Sequence, residues 1–397
     1  MQWASVSSTD NDISNAIATA VDRLLTLLGR EPDLMVVFIA ANHRSHFSTV
    51  PTLLRRHVES ATLVGCLCQN SIGGGREYED QTTISLLGAI LPNVQLQLAH
   101  LEGNQLPSTY AERNVWNSAL HLSGEPDCMI MLAAPFTFDT EAFLKGLDRH
   151  YPSTAKMGGL SSGVDQPNTP CLLLNDHIYS SGVITLGMSG NIAVDTLVAQ
   201  GVRPVGDPMF ANSTHENLVL ELDGKTPRDV LTEIYGKLNR SDRQLFTQSL
   251  FLGMAMEAQR EHYNPGDFLV RSVLGLDPKS GALWVNSPVP INSVVQLHVR
   301  DAASAAQEVQ QLLQRYRTSP NSRNATGALL LSCTARGANL NDQSNHDSNA
   351  VTQALGDIAI GGCFCDGEIG SVRGITYLHS FTSVFGIFRE KDKRETH

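Results

Sequence analysis

Two apolar periodicities divide the chain. At Asn15–Gly29, Ile17, Val21, Leu24, Leu25 and Leu28 form the stripe of an amphipathic helix, and Gly29 supplies its stop. Leu34–Ala40 is then a short, continuous apolar run, the pattern of a buried strand. Ser48–Val58 predicts a helix, with Pro51 tolerable only in its first turn. Ala61–Leu67 is a second strand, the glycines Gly73–Gly75 a mobile loop, and Thr83–Leu91 and Val94–His100 two strands joined by a Pro-Asn turn. The order is β-α-β-loop-β-β.

The same order returns further on. Tyr110–Leu122 predicts a helix, Cys128–Ala134 a strand, and Asp139–His150 a helix capped by Asp139 or Thr140. Ala155–Leu160, Cys171–Leu174 and Gly182–Met188 follow as strands. Without a gap, Met35 falls on Met129, Phe38 on Leu132, Ala40 on Ala134, Leu53 on Leu147 and Arg55 on Arg149. The nonapeptide GCLCQNSIG at Gly65–Gly73 reappears as GCFCDGEIG at Gly362–Gly370. Around that second copy, Gly327–Cys333, Ile358–Cys365, a strand near Thr376–Leu378 and Thr382–Arg389 flank a helix at Ser348–Leu355.

Between these copies Ile192–Arg203 crosses to a second half. There Asn217–Leu222, a helix at Thr226–Leu238, and strands at Leu250–Glu257, Phe268–Leu276, Ala282–Asn286 and Val294–Arg300 read as a worn fourth copy. Ala302–Arg317 is a helix and Thr318–Asn324 a polar loop. The expected fold is α/β: two pseudo-symmetric α/β domains with mixed sheets built from repeated β-α-β-loop-β-β units. The first domain is 1–205, with units near 33–102 and 127–189. The second is 206–389, followed by a charged tail at 390–397.

A hydrophobic content of 42% over 397 residues supports a large core. The net charge of -11 sets the field of the protein against nucleic acid and anionic membrane. No apolar run approaches the ~18 residues of a membrane span, so membrane insertion is not expected. No secretory leader pattern opens the sequence. Seven cysteines, mostly inside apolar runs, fit a reduced, cytoplasmic protein.

The candidate chemistry gathers at strand ends, where α/β sheets place their ligand crevices. Cys333 ends a strand and opens a turn containing Arg336 and Gly337, and a nearby guanidinium favours a thiolate. Cys333 is thus expected to be the fastest-reacting thiol. Asp366, Gly367 and Glu368 form an acidic turn after Cys365, in which Gly367 can take a positive φ. Arg336 could hold a carboxylate by its fork and Glu368 an amine, which suits a small zwitterion; a salt bridge between the two is the structural alternative.

Cys66 and Cys68, like Cys363 and Cys365, lie two apart on a strand. That spacing suits core packing rather than zinc, so no metal is expected. His43 and His46 are expected at the surface near a crevice mouth. Ser161-Ser162 lacks a nucleophile elbow, and the glycine runs match neither a Walker loop nor a dinucleotide fingerprint.

Gly201–Asp207 (GVRPVGD), Leu220–Gly224 (LELDG), Gly266–Arg271 (GDFLVR), Cys333–Gly337 (CTARG), and GCFCDGEIG followed by Leu378–Phe388 (LHSFTSVFGIF) resemble the FIST family, in which an N-terminal and a C-terminal FIST domain stand in tandem. The resemblance spans about Leu34 to Phe388. Asn292 departs from the glycine often found before Val294–Arg300, and Asn tolerates the same left-handed turn. The resemblance implies a cytoplasmic sensory module that binds a small molecule, such as an amino acid, and signals. It implies no established enzyme activity and no cofactor. No effector region accompanies these motifs, so the signal would pass to a separate protein partner.

The expected ligand-binding set is Cys333, Arg336, Gly337, Cys365, Asp366, Gly367 and Glu368, with no catalytic residue. The alternatives are a cysteine-dependent enzyme using Cys333 or Cys365, and a protein-interaction scaffold.

Overall fold

A computed structural model describes residues 1–257, 260–264 and 266–391. The chain forms two compact units, one of residues 1–198 and 309–397, the other of residues 199–308.

The larger unit contains one pattern three times. Repeat 1 runs β1 (Gln2–Ser8), α1 (Ile13–Leu28), β2 (Leu34–Ala40), α2 (Val50–Arg55), β3 (Thr62–Cys68), a hairpin of β4 (Ser71–Gly73) and β5 (Arg76–Tyr78), then β6 (Ile84–Ile90). Repeat 2 runs β7 (Val94–Leu101), α3 (Arg113–Ala119), β8 (Cys128–Ala133), α4 (Thr140–His150), β9 (Ala155–Leu160), the hairpin β10 (Leu172–Leu174) and β11 (His177–Tyr179), then β12 (Val183–Gly190).

Repeat 3 opens with β13 (Ala193–Ala199) and is interrupted by the smaller unit. That unit holds β14 (Arg203–His215), β15 (Leu218–Leu222), α5 (Pro227–Lys237), α6 (Arg240–Gln248), β16 (Leu250–Ala255), β17 (Phe268–Leu276), β18 (Leu283–Val285) and β19 (Ser293–Val299). Repeat 3 resumes through α7 (Ala302–Arg317), β20 (Ala325–Cys333), α8 (Ala338–Asn341), α9 (His346–Leu355) and β21 (Ala359–Cys365). It closes with the hairpin β22 (Glu368–Val372) and β23 (Ile375–His379), then β24 (Ser383–Arg389).

Each repeat builds a mixed sheet in the order first strand, last strand, second, third. The hairpin of another repeat completes it. Thus β10–β11 joins the sheet of repeat 1, β22–β23 that of repeat 2, and β4–β5 that of repeat 3. The exchange closes a ring, so no repeat completes its own sheet. Three backbone bonds occupy equivalent places at the crossings: Leu67 N–H to Cys171 O (2.8 Å), Leu160 N–H to Gly367 O (2.8 Å) and Phe364 N–H to Asn70 O (2.9 Å). They make Ser71, Leu172 and Glu368 equivalent positions, all fully buried.

The α/β class and the repeated units are as the sequence predicts, and β2 and β8 are equivalent. The details differ. Val94–Leu101 pairs with β12 and begins repeat 2, whereas β1 supplies the missing first strand of repeat 1. Gly74 and Gly75 form the turn of the β4–β5 hairpin rather than a loose loop, and Glu368 starts a strand rather than sitting in a turn. The expected fourth copy is instead a closed antiparallel barrel, β14-β15-β18-β17-β16-β19. Its strands carry the same alternation as a half-buried α/β strand, but among the described residues helices intervene only between β15 and β16, and the strands pair antiparallel around a core of Ala211, Val219, Leu252, Leu283, Val295 and Leu297. Of the tail, Lys391 pairs with Asp127 at 2.6 Å, and residues 392–397 lie outside the described residues.

Candidate functional site

Where the third strands meet, polar side chains of one repeat bind backbone of the others. Ser161 Oγ donates to Leu67 O (2.6 Å), while Ser162 Oγ donates to Phe364 O (2.5 Å) and accepts from Gln69 N–H (2.8 Å). These serines act as fasteners. Beside them the thiols of Cys66, Cys68, Cys363 and Cys365 form one buried group. Cys363 Sγ lies 3.6 Å from Cys365 Sγ and within hydrogen-bonding reach of the other two. Burial pushes the Cys363 thiol up. Cys363 draws the Cys365 thiol down, but burial and neighbouring acids still leave it at about 11. Such thiols pack as small hydrophobes. All seven cysteines are free, and among the described residues no group of three or more His, Cys, Asp or Glu side chains has a metal-holding arrangement.

The sequence-predicted ligand residues converge at the ends of β20 and β21, where Cys333 and Cys365 are register partners. Cys333 is 7% exposed, against 1% or less for the other cysteines. Thr334 Oγ1 donates to Asp366 Oδ1 (3.2 Å), and Asp366 is exposed. Gly337 takes φ +63 as the cap of α8, and a Cβ there would come 2.4 Å from Glu79 Oε2. Gly367 has no positive φ; its carbonyl is one of the three crossing acceptors.

Arg336 is fully buried and its fork is engaged. Nε and Nη2 donate to the two oxygens of Asp347 (3.2 and 3.3 Å), and Nη1 donates to Phe381 O (3.4 Å). Asp347 also accepts from Ser383 and Ser332 and lies 2.8 Å from His346 Nδ1. Burial alone would raise its carboxyl, but Arg336, His346 and Ser383 together hold it well below the usual carboxylate range.

Glu368 lies near this pair without joining it. Its Oε2 accepts from Thr382 N–H (3.2 Å), and the Cys333 thiol approaches the same carboxyl, but Oε1 is buried and has no hydrogen-bond partner among the described residues. Burial raises its pKa well above the ordinary value, which Thr382, Arg336 and Cys333 offset only in part.

Sequence reasoning missed Asp347, Glu77 and Glu79. Glu77, on the exchanged hairpin, accepts Ser348 N–H (2.8 Å) in the first turn of α9, and Glu79 accepts Ala338 N–H through both oxygens (3.0 Å each). The signal for Asp347 was present as an Asp at a helix start. Glu77 and Glu79 meet these helices only through hairpin exchange. Of the two histidines, His46 is exposed as expected, whereas His43 is buried, and burial lowers its pKa.

Burial, then the charge of Asp347, pushes the Glu77 carboxyl from the usual 4.5 to about 7. A raised acid leaves stability intact below about pH 4.5 and lowers it as the pH climbs through the folded value. Glu77→Gln keeps an acceptor for Ser348 but cannot ionise. It should leave stability unchanged near about pH 4.5 and raise it by on the order of 2–3 kcal/mol near about pH 8. Urea unfolding at both pH values checks this; the same difference at each would refute it.

The model of the FIST N domain matches residues 33–225 and that of the FIST C domain residues 228–371. The chain belongs to the FIST family, whose domains are sensory domains of signal transduction. An uncharacterized protein of Mycobacterium bovis is 29% identical over 365 residues, 91% of this chain and 92% of its own length. Another of Mycobacterium tuberculosis is 28% identical over 386 residues, 96% and 98% of the two chains. A cyanuric acid hydrolase from A. caulinodans covers 98% of both chains at 10% identity and a TM-score of 0.36, a likeness too small to carry an argument. Among the described residues, no helix is long and apolar enough to cross a membrane.

Proposed function

We propose that this chain is a cytoplasmic sensory protein that binds a small molecule at the Cys333–Glu368 cluster and signals to a separate protein partner. One observation supports the reading above the rest: the buried, unpartnered Oε1 of Glu368. Leaving such an atom unpaired costs about 1–3 kcal/mol, so it calls for a role. A ligand amine donating to Glu368 supplies the missing bond and draws the acid toward its ionised form. Of the zwitterion expected from the sequence, the amine half is retained, because Asp347 already fills the fork of Arg336. The half-exposed Thr334 and Ala335 and the exposed Asp366 are where the ligand passes. Seven free thiols fit a reducing cytoplasm.

The test is thermal-shift screening of primary amines against the wild type and Glu368→Gln, with maleimide labelling of Cys333 alongside. A binding amine should add about 2.7 kcal/mol at roughly a hundredfold excess over Kd, slow Cys333 labelling, and lose both effects in Glu368→Gln. Equal stabilisation of the variant, or no stabilising amine, would sink the reading.

A further inference from the structure

The smaller unit carries apolar surface that its core does not use. Among the described residues, twelve large apolar side chains are exposed, and seven of them lie in this unit, which holds only residues 199–308. Three of the seven share one face. β15, β18 and β17 are consecutive neighbours in the barrel. Val219, Leu283 and Val285 belong to its core, so by strand alternation Leu218, Leu220 and Trp284 point outward. Trp284 stands opposite Leu218 on one side and Gly275 on the other. Leu274, at the irregularity between Val273 and Gly275, is 63% exposed. A Cβ added at Gly275 would meet nothing within 4 Å, so the space beside the indole is open. An apolar band thus crosses three strands with Trp284 at its centre, the kind of exposed patch that marks an interaction surface.

The rim of the band is acidic. Glu216, two residues before Leu218, and Glu221, next to Leu220, make no side-chain hydrogen bond or ion pair with the described residues. Few cations offset them. Lys225 is held by Glu233 (2.8 Å), Arg271 is buried, and Lys279 shares its turn with Asp277.

We propose that this face docks a basic amphipathic helix of the signalling partner. Helix turns repeat every ~5.4 Å and neighbouring strands lie about 4.8 Å apart, so a helix lying across the strands sets successive apolar residues against Leu274, Trp284 and Leu218. Lysine or arginine on its flanks meets Glu216 and Glu221. The surface stands on its own residues; only the partner's role rests on the signalling function proposed for the chain.

The probe is a fluorescein-labelled helix of about 18 leucine and lysine residues with one apolar face, titrated by anisotropy into the full chain. A leucine–glutamate version and a scrambled leucine–lysine version are the controls. The probe should bind saturably, and each control at least about tenfold more weakly. Trp284→Ala should weaken it about thirtyfold, as truncation of a central aromatic anchor does. Leu274→Ser should cost about tenfold, and its exposure keeps that variant folded, which circular dichroism checks. Glu216→Gln combined with Glu221→Gln should cost about fivefold at low salt and flatten the salt dependence. Ile375→Ser, at an exposed apolar residue of the larger unit, and Glu368→Gln should leave the affinity unchanged, so this surface and the ligand site can fail separately. No saturable binding, equal binding of the glutamate peptide, or affinity unchanged in both Trp284→Ala and Leu274→Ser would overturn the proposal. So would a dimer, seen by sedimentation, that Leu274→Ser dissociates, since the face would then serve a second copy of the chain.

Discussion

Arg336→Met should destabilise the protein by about 3–5 kcal/mol near neutral pH. The substitution keeps much of the side-chain volume but leaves Asp347 charged, buried and without its guanidinium. Ser332, Ser383 and His346 still hydrogen-bond to it, which sets the lower end of the range. The pH dependence follows from the sign of the shift. The Asp347 carboxyl is held low in the folded state, so its pairing stabilises the fold above the ordinary Asp value and is lost as the pH falls through the depressed one. In the variant, burial is no longer opposed by Arg336 and the carboxyl rises, so acid relieves the unpaired charge. The gap between the two proteins should narrow as the pH is lowered. The double variant Arg336→Met, Asp347→Asn, which leaves no charge, should recover part of the loss. Urea midpoints across pH decide it. A cost below about 1 kcal/mol near neutral pH, or a gap that does not narrow, would show that the pair contributes little.

The strands and the long helices were legible because local pattern decides them. Leu34–Ala40 and Ala302–Arg317 appear with the bounds their apolar pattern predicts, and Gly29 caps α1 in the left-handed conformation. The duplicated nonapeptide pointed to equivalent strand ends, and β3 and β21 are equivalent. What stayed hidden was non-local. Nothing between Ser71 and Tyr78 shows that this hairpin completes the sheet of repeat 3, because a three-residue strand looks the same whichever sheet takes it. For that reason Glu77 and Glu79 could not be placed beside α9 and α8, and Asp347 rather than a ligand turned out to fill the Arg336 fork. The barrel was misread for a related reason: alternation identifies strands but not their partners. Cys333, Arg336 and Glu368 do converge, as the strand-end argument requires; their burial and pairing depend on contacts made far along the chain.

The most damaging single substitutions should be alanine at Gly65, Gly158 or Gly362. Each glycine sits on the third strand of its repeat, directly opposite a residue of the second: Val37, Met131 and Leu330. An added Cβ would lie 2.1 Å from Val37 O, 2.0 Å from Met131 O and 1.8 Å from Leu330 O. Those carbonyls belong to buried residues of central strands, so the clash cannot be relieved by turning a side chain. The two strands would have to part, breaking a parallel ladder in the core. Each variant should lose more than about 4 kcal/mol, the range reserved for such core disruption. The three costs should be similar, because the same backbone approach recurs in each repeat. Gly236→Ala is the contrasting case: near the end of α5, it meets nothing within 4 Å and should be neutral or stabilising by up to about 1 kcal/mol. Urea unfolding of the soluble variants, with far-UV circular dichroism, makes the comparison. An alanine tolerated within about 1 kcal/mol at any of the three sites would mean that the strand pair there can open, and that the close approach is not a condition of the fold.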